Sequence, residues 1–248
     1  ICNVDFNDII ENHIKTGADM TLAVKSVDLT PESAKINVLF DSDEDGRVRD
    51  ILAYPTQFTG RADIGLNIVV MRTDYLKQIV LDAIAHNYTS LTSDILARNM
   101  KNRNFRVYKY DGYFACISSF ADYYAHSMEL LSDAAARDAL FGVKDRPIYT
   151  KVRNSVPAFY AASSSVRNSM IADGCEIEGS VENSILFRGV KIGKNATVKN
   201  SIIMQDSIIG DGAFLNHVIT DKNAVVRDNR MLAGADVQPF YIQKGQMI

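Results

Sequence analysis

Three things are scarce in this sequence, and each scarcity excludes something. Its 248 residues hold only three cysteines, Cys2, Cys116 and Cys175, far apart and odd in number. They supply neither a disulfide framework nor a CxxC metal site, and such sparse usage fits a reducing, cytoplasmic setting. Positive charge is not in excess: 27 Lys and Arg stand against 30 Asp and Glu, for a net charge of −3. A duplex nucleic-acid partner needs a basic face to neutralise its phosphates, so none is expected. No apolar run approaches the ~20 residues of a membrane span, and no signal-peptide pattern opens the chain. No membrane partner is expected either.

The chain begins at Ile1, not Met, and Ile1–Phe6 reads as an apolar strand. A fragment or cleaved product, with its true N-terminus upstream, is the expectation. Hydrophobic residues at 47% and charged ones at 23% are ordinary for a globular chain, and the length is comfortable for two domains.

Up to about residue 150 strand and helix patterns alternate. Met20–Val27, Ala34–Phe40, Gly65–Met71 and Phe105–Tyr110 read as strands. The acidic tip Asp41–Gly46 carries an Asp-Gly step suited to a hairpin turn. Helices are expected from Thr73 or Asp74 to His86, from Thr92 to Lys101, and from Ser118 or Ser119 to Leu131. This alternation predicts an α/β sheet with helices packed on it, over 1–150.

From about Val166 the texture changes. Ile192-Gly193-Lys194-Asn195-Ala196-Thr197-Val198 matches Ile209-Gly210-Asp211-Gly212-Ala213-Phe214-Leu215, with aliphatic positions six apart; Ile171–Ile177 repeats the same step. Asn168-Ser169, Asn183-Ser184, Asn200-Ser201 and Asp206-Ser207 each precede an aliphatic residue. A period of six with a small residue after the aliphatic one marks a hexapeptide β-helix, three sides to a coil of ~18 residues. Four coils are expected over about 166–230, within a β-helix and tail at 166–248, with 151–165 as linker. A meander of antiparallel strands leaves the step of six unexplained.

Several motifs together resemble bacterial ADP-glucose pyrophosphorylases, the glucose-1-phosphate adenylyltransferase family. They are Asn3-Val4-Asp5-Phe6 with His13 and Gly17–Thr21; Asp43–Val48; Gly112-Tyr113-Phe114 with Tyr123, Tyr124, Met128, Glu129 and Leu131; Pro147–Thr150; and Gly179–Val190. The resemblance implies a nucleotidyltransferase-like, Rossmann-like mixed sheet followed by a left-handed parallel β-helix. It implies chemistry that joins ATP and glucose-1-phosphate into ADP-glucose and pyrophosphate, with Mg²⁺ held by two aspartates. The family's Gly-rich nucleotide-binding segment is absent from these residues, in keeping with the fragment reading.

The resemblance breaks at the pocket. Asp5 matches one metal aspartate, a vestigial ligand position, but Cys116 stands where the second belongs, and a thiol is a poor Mg²⁺ ligand. Tyr54 occupies the place of the family's sugar-phosphate lysine, and Asp63 that of a sugar-binding serine. Ser90–Asp94 keeps only the final carboxylate, Asp94, of its motif. Tyr54, Asp63, Asp94, Tyr113 and Phe114 are expected to make a degenerate substrate pocket, with no productively bound Mg²⁺. They are the marks of the family's non-catalytic glycogen-biosynthesis subunits, which pair with a homologous catalytic subunit in a mixed tetramer; a homo-oligomer is the other assembly. Arg153 and Arg167, with Arg146 and Lys151, are candidates for a sugar-phosphate effector site or for an ordinary charged linker.

Other readings stay open. Asp5 equally suits a helix cap, and Cys116 a small buried apolar residue. His217 is either a structural residue between coils or the base of a β-helix acyltransferase. Arg47, Arg49 and Arg61 form an anion site or are scattered surface charges. Three functions therefore stand: an impaired regulatory subunit, an active adenylyltransferase with a rearranged pocket, and a β-helix acyltransferase or scaffold.

Overall fold

The computed structural model describes residues 1–248. Contacts divide the chain into two compact units, Cys2–Phe114 and Ala115–Ile248 together with Ile1.

The first unit is built on a five-stranded mixed sheet. Helix α1 (Phe6–Thr16) leads into β1 (Met20–Leu29), a short α2 (Pro31–Ala34), β2 (Val38–Ser42), β3 (Val48–Ala53) and β4 (Gly60–Met71). Helix α3 (Thr73–His86), a π-helical segment Leu91–Leu96 running into α4 (Ala97–Asn99), and β5 (Phe105–Lys109) complete it. The strand order is β3-β2-β4-β1-β5, with β1 parallel to β5 and antiparallel to β4. Side chains alternate across β1. Leu22 and Val24 meet Tyr75 and Ile79 of α3 on one face, whereas Ala23 meets Ile9 of α1 on the other.

Local chemistry accounts for where several elements differ from expectation. The opening residues are no strand beyond a bridge from Cys2 to Phe114. Asp5 instead caps α1, its carboxylate accepting the Asn7 amide at 2.9 Å. Thr30 and Ser33 form a capping box with Pro31 in the first turn, so 31–34 coils and the strand expected from Ala34 begins only at Val38. The helix expected at 92–101 is π-helical at its start, where Asp94 accepts the Thr89 and Ser90 amides at 3.0 Å each. The acidic hairpin forms as expected: Gly46 turns with a φ of 79° and donates to Asp43.

In the second unit α5 (Phe120–Ser132) and α6 (Ala134–Phe141) precede fifteen strands of two or three residues, β6 (Phe159–Tyr160) to β20 (Phe240–Ile242). These form three parallel five-stranded sheets, so the β-helix has five layers, not the four expected. Val166, Val181, Val198, Leu215 and Leu232 lie in register, as do Ile177, Ile192, Ile209 and Val226, and they fill the interior. The Asn-Ser pairs make one corner. Asn168, Asn183 and Asn200 hold φ of 43°, 47° and 46°, a left-handed conformation that asparagine tolerates. Their amides bond from coil to coil. Each following serine turns inward: Ser184 and Ser201 are wholly buried, and the Ser184 hydroxyl accepts the Ser201 amide at 3.1 Å.

Helix α5 belongs to this unit, although the sequence pattern runs it with the sheet domain to residue 150. The outward residues of one β-helix face are Ile185, Ile202 and Ile219, and Tyr123, Tyr124 and Met128 of α5 cover them. That face is apolar on both sides and requires a lid. No helix is long and apolar enough to cross a membrane.

Candidate functional site

The first unit carries a cleft of about 570 Å³ beside β2 and β4. Its polar groups are Ser26 of β1, Asp41 and Ser42 of β2, Asp50 of β3, Arg61 and Asp63 of β4, and Lys109 at the end of β5. Pairing of β1 with both β4 and β5 brings Ser26, Asp63 and Lys109 together from three distant stretches of chain. The Asp63 carboxylate accepts the Ser26 hydroxyl and sits 3.3 Å from Lys109 Nζ, with its side chain 13% exposed. The carboxylate that stands in the place of the family's sugar-binding serine therefore has a cation beside it. The same contact occupies Lys109, one of the two cations on the cleft. Arg61 lies 3.9 Å from Asp28. Three carboxylates against two cations do not make a phosphate cradle.

Of the five positions expected in the degenerate pocket, only Asp63 lines this cleft. Tyr54 follows β3 with a φ of 55°, is 53% exposed, and donates its amide to the Asn37 carbonyl. Asp94 accepts the Thr89 and Ser90 amides just ahead of its π-helical segment, the Ser90 and Thr89 bonds holding its carboxyl below the usual range. Phe114 packs on Leu29, Ala34, Leu39 and Ile64, and Tyr113 is half-buried. Lys109 and Ser26 escaped the sequence reading because nothing local marks them; only strand pairing places them next to Asp63. The arginines do not converge: Arg49 faces Asp43 at 3.7 Å, and Arg47 bridges Arg106 through the backbone.

Mg²⁺ needs several hard oxygen ligands. Asp5 offers one carboxylate, already accepting an amide. Cys116 is a half-buried free thiol, and no group of three or more His, Cys, Asp or Glu is arranged to hold a metal ion. The donors present do not fit the ion.

In the second unit Tyr124 of α5 donates to the Asn200 carbonyl at 2.7 Å. Its oxygen lies 2.9 Å from Nδ1 of His217, which also lies 2.8 Å from Asp236 Oδ1. A phenol that donates to Asn200 leaves its oxygen to accept, which puts a proton on Nδ1 of His217. Burial, with the charge of Asp236 adding to it, pushes the Tyr124 hydroxyl up to about 12. His217 holds the left-handed corner that asparagine holds in the coils before it, with a φ of 53°. It tethers α5 and the Asp236 loop. Arg167 pairs with Glu182, which also faces Lys199 at 3.3 Å; Arg153 does not line the groove these residues form.

One buried histidine makes stability depend on pH. His13 of α1 lies 2.9 Å from the Thr21 hydroxyl, and burial lowers its pKa against the opposing charge of Asp19. The unfolded chain therefore binds a proton more readily than the folded one. Stability is complete above the unfolded value of about 6.5 and falls as pH drops through it toward the lower folded value. Urea midpoints between pH 7.5 and 5 are expected to decline for the native chain and to decline less for His13→Gln. Equal slopes would remove His13 as the source.

Comparison with known proteins adds the following. Residues 156–240 match the family model described as the GlmU-like, C-terminal hexapeptide. The chain is 37% identical over 245 residues to the glycogen biosynthesis protein GlgD of Geobacillus stearothermophilus, covering 99% of this chain and 60% of that protein. It is 31% identical over 199 residues to GlgD of Bacillus subtilis (strain 168), covering 80% and 47%. The glucose-1-phosphate adenylyltransferase of Pseudothermotoga lettingae is 31% identical over 202 residues, covering 79% and 46%. The chain spans about half the length of the curated relatives it matches.

Proposed function

We propose, from the premise that this chain is a homologue of the GlgD and glucose-1-phosphate adenylyltransferase family, that it is a glycogen-biosynthesis subunit impaired in catalysis. On this reading it works in the cytoplasm, in a mixed tetramer, on an active partner that makes ADP-glucose. The observation that carries the reading is the Asp63–Lys109 pair. Where the family has a sugar-binding serine this chain has a carboxylate, and that carboxylate holds the cleft's β5 cation. The departures at Tyr54, Cys116 and the Ser90–Asp94 segment point the same way, and so does the 37% identity to a protein named GlgD.

A subunit without turnover influences flux only by shifting its partner between states of different activity, which requires different contacts in those states. Arg153 and Arg167 are the expected readers of an anionic sugar-phosphate effector; Arg167 is held by Glu182, which leaves Arg153 as the proposed reader. The deciding experiment mixes the full-length protein with the catalytic adenylyltransferase subunit of the same cell. Coupling of about 1–3 kcal/mol shifts the partner's effector or substrate affinity roughly 5–150-fold. A partner whose kinetics and sedimentation are unchanged by the mixture rules the reading out.

A further inference from the structure

The second unit holds an open, apolar cleft of about 670 Å³ that none of the roles above uses. Ile117, Phe120 and Tyr123 form one wall at the start of α5; Met204 and Tyr241 of the β-helix form the other, with Asp221 beside them. The Phe120 and Tyr241 rings stack with centroids 4.4 Å apart, and Phe120 remains 57% exposed. Asp221 is half-buried. Its carboxylate accepts the Lys222 amide at 2.6 Å and the Tyr241 hydroxyl at 3.2 Å, and no lysine, arginine or histidine pairs with it.

The surroundings define what this carboxylate lacks. The nearby start of α5 is already capped, Ser119 accepting the Asp122 amide and Asp122 accepting the Ser118 amide. Those helix amides are therefore not aimed at Asp221. A neutral apolar occupant would take water from a carboxylate and leave it without a counter-charge, which is costly. An anion would meet like charge. An organic cation satisfies both halves of the cleft: its charge meets Asp221, while aromatic faces attract it and cover its stem.

We propose that this cleft binds a guanidinium or ammonium group carried on an apolar stem, with the charge at Asp221 and the stem along Phe120, Tyr123 and Tyr241. The group is carried by a free small molecule, since about 670 Å³ lies within the roughly 300–1,000 Å³ of small-molecule sites. This assignment does not depend on the glycogen reading.

The probe is agmatine, titrated calorimetrically into the full-length protein. Saturable binding is expected, weakened roughly tenfold or more by Asp221→Asn and also by Phe120→Ala, and reduced by salt. Uncharged N-butylurea should not bind. Tyr241→Phe keeps the ring stack and frees Asp221 from the phenol, so it should bind agmatine at least as tightly; it also serves if Asp221→Asn misfolds. Sedimentation of the protein, alone and with its adenylyltransferase relative, separates the sources. Unchanged assembly with lost agmatine binding is the expected result; assembly weakened by Asp221→Asn makes the occupant a protein side chain and overturns the proposal. Agmatine that binds native and Asp221→Asn protein equally, or binds neither while assembly is unchanged, overturns the proposal.

Discussion

Full-length protein carrying this chain, purified free of other adenylyltransferase subunits, is expected to make no ADP-glucose above background from ATP and glucose-1-phosphate. The family resemblance places Cys116 where a metal carboxylate belongs and Tyr54 where a phosphate-holding lysine belongs. Each preorganised charge of that kind is worth about 10²–10³ in rate. Losing two therefore takes turnover below ordinary detection. Cys116→Asp alone should not rescue it, because Lys109 stays engaged by Asp63 and no cation replaces the missing lysine. Adding Tyr54→Lys and Asp63→Ser to Cys116→Asp removes all three obstacles, and any recovered activity should emerge only in that combination. Robust turnover by the unaltered protein would falsify the regulatory reading and favour an active enzyme with a rearranged pocket.

The second large effect concerns the β-helix interior, where two adjacent isoleucines should behave in opposite ways. Ile209 points inward and is 1% exposed, whereas Ile208 points outward and is 43% exposed. Ile209→Ala removes three buried carbons and leaves a cavity that stacked coils above and below cannot close, at a cost of about 2–5 kcal/mol. Ile208→Ala should stay within about 0.5 kcal/mol of native. In a chain of this size each kcal/mol moves the melting midpoint by roughly 2–4 °C, so circular-dichroism melts distinguish the two plainly. Gly179→Ala should be at least as damaging as Ile209→Ala. An added Cβ would stand 2.4 Å from the Ala196 carbonyl oxygen and 2.7 Å from that of Gly193, both backbone atoms of the next coil. Equal melts for the two isoleucine variants would mean that the six-residue step does not mark the interior.

Much of this was legible in the residues because it depends on short or repeated spacings. With three six-residue sides to a coil, every sixth side chain points inward and positions about one coil apart share a wall, so the inward set Ile177, Ile192 and Ile209 is legible in the repeat. Asparagine before serine marks the corner, since one tolerates the left-handed turn and the other buries a hydroxyl that the next coil's amide can use. The Asp5 cap and the Asp43–Gly46 hairpin are decided within four residues. Pairing between distant segments lies outside such rules. Lys109 meets Asp63 only because β5 and β4 flank the same strand, and no spacing encodes that. Tyr124 leaves the sheet domain's pattern for the β-helix because the apolar face of Ile202 and Ile219 has to be covered by something. The inward residues, corners and caps were thus determined by local sequence, whereas the content of the cleft and the allegiance of α5 were decided by tertiary structure, where burial of one surface selects its partner from anywhere along the chain.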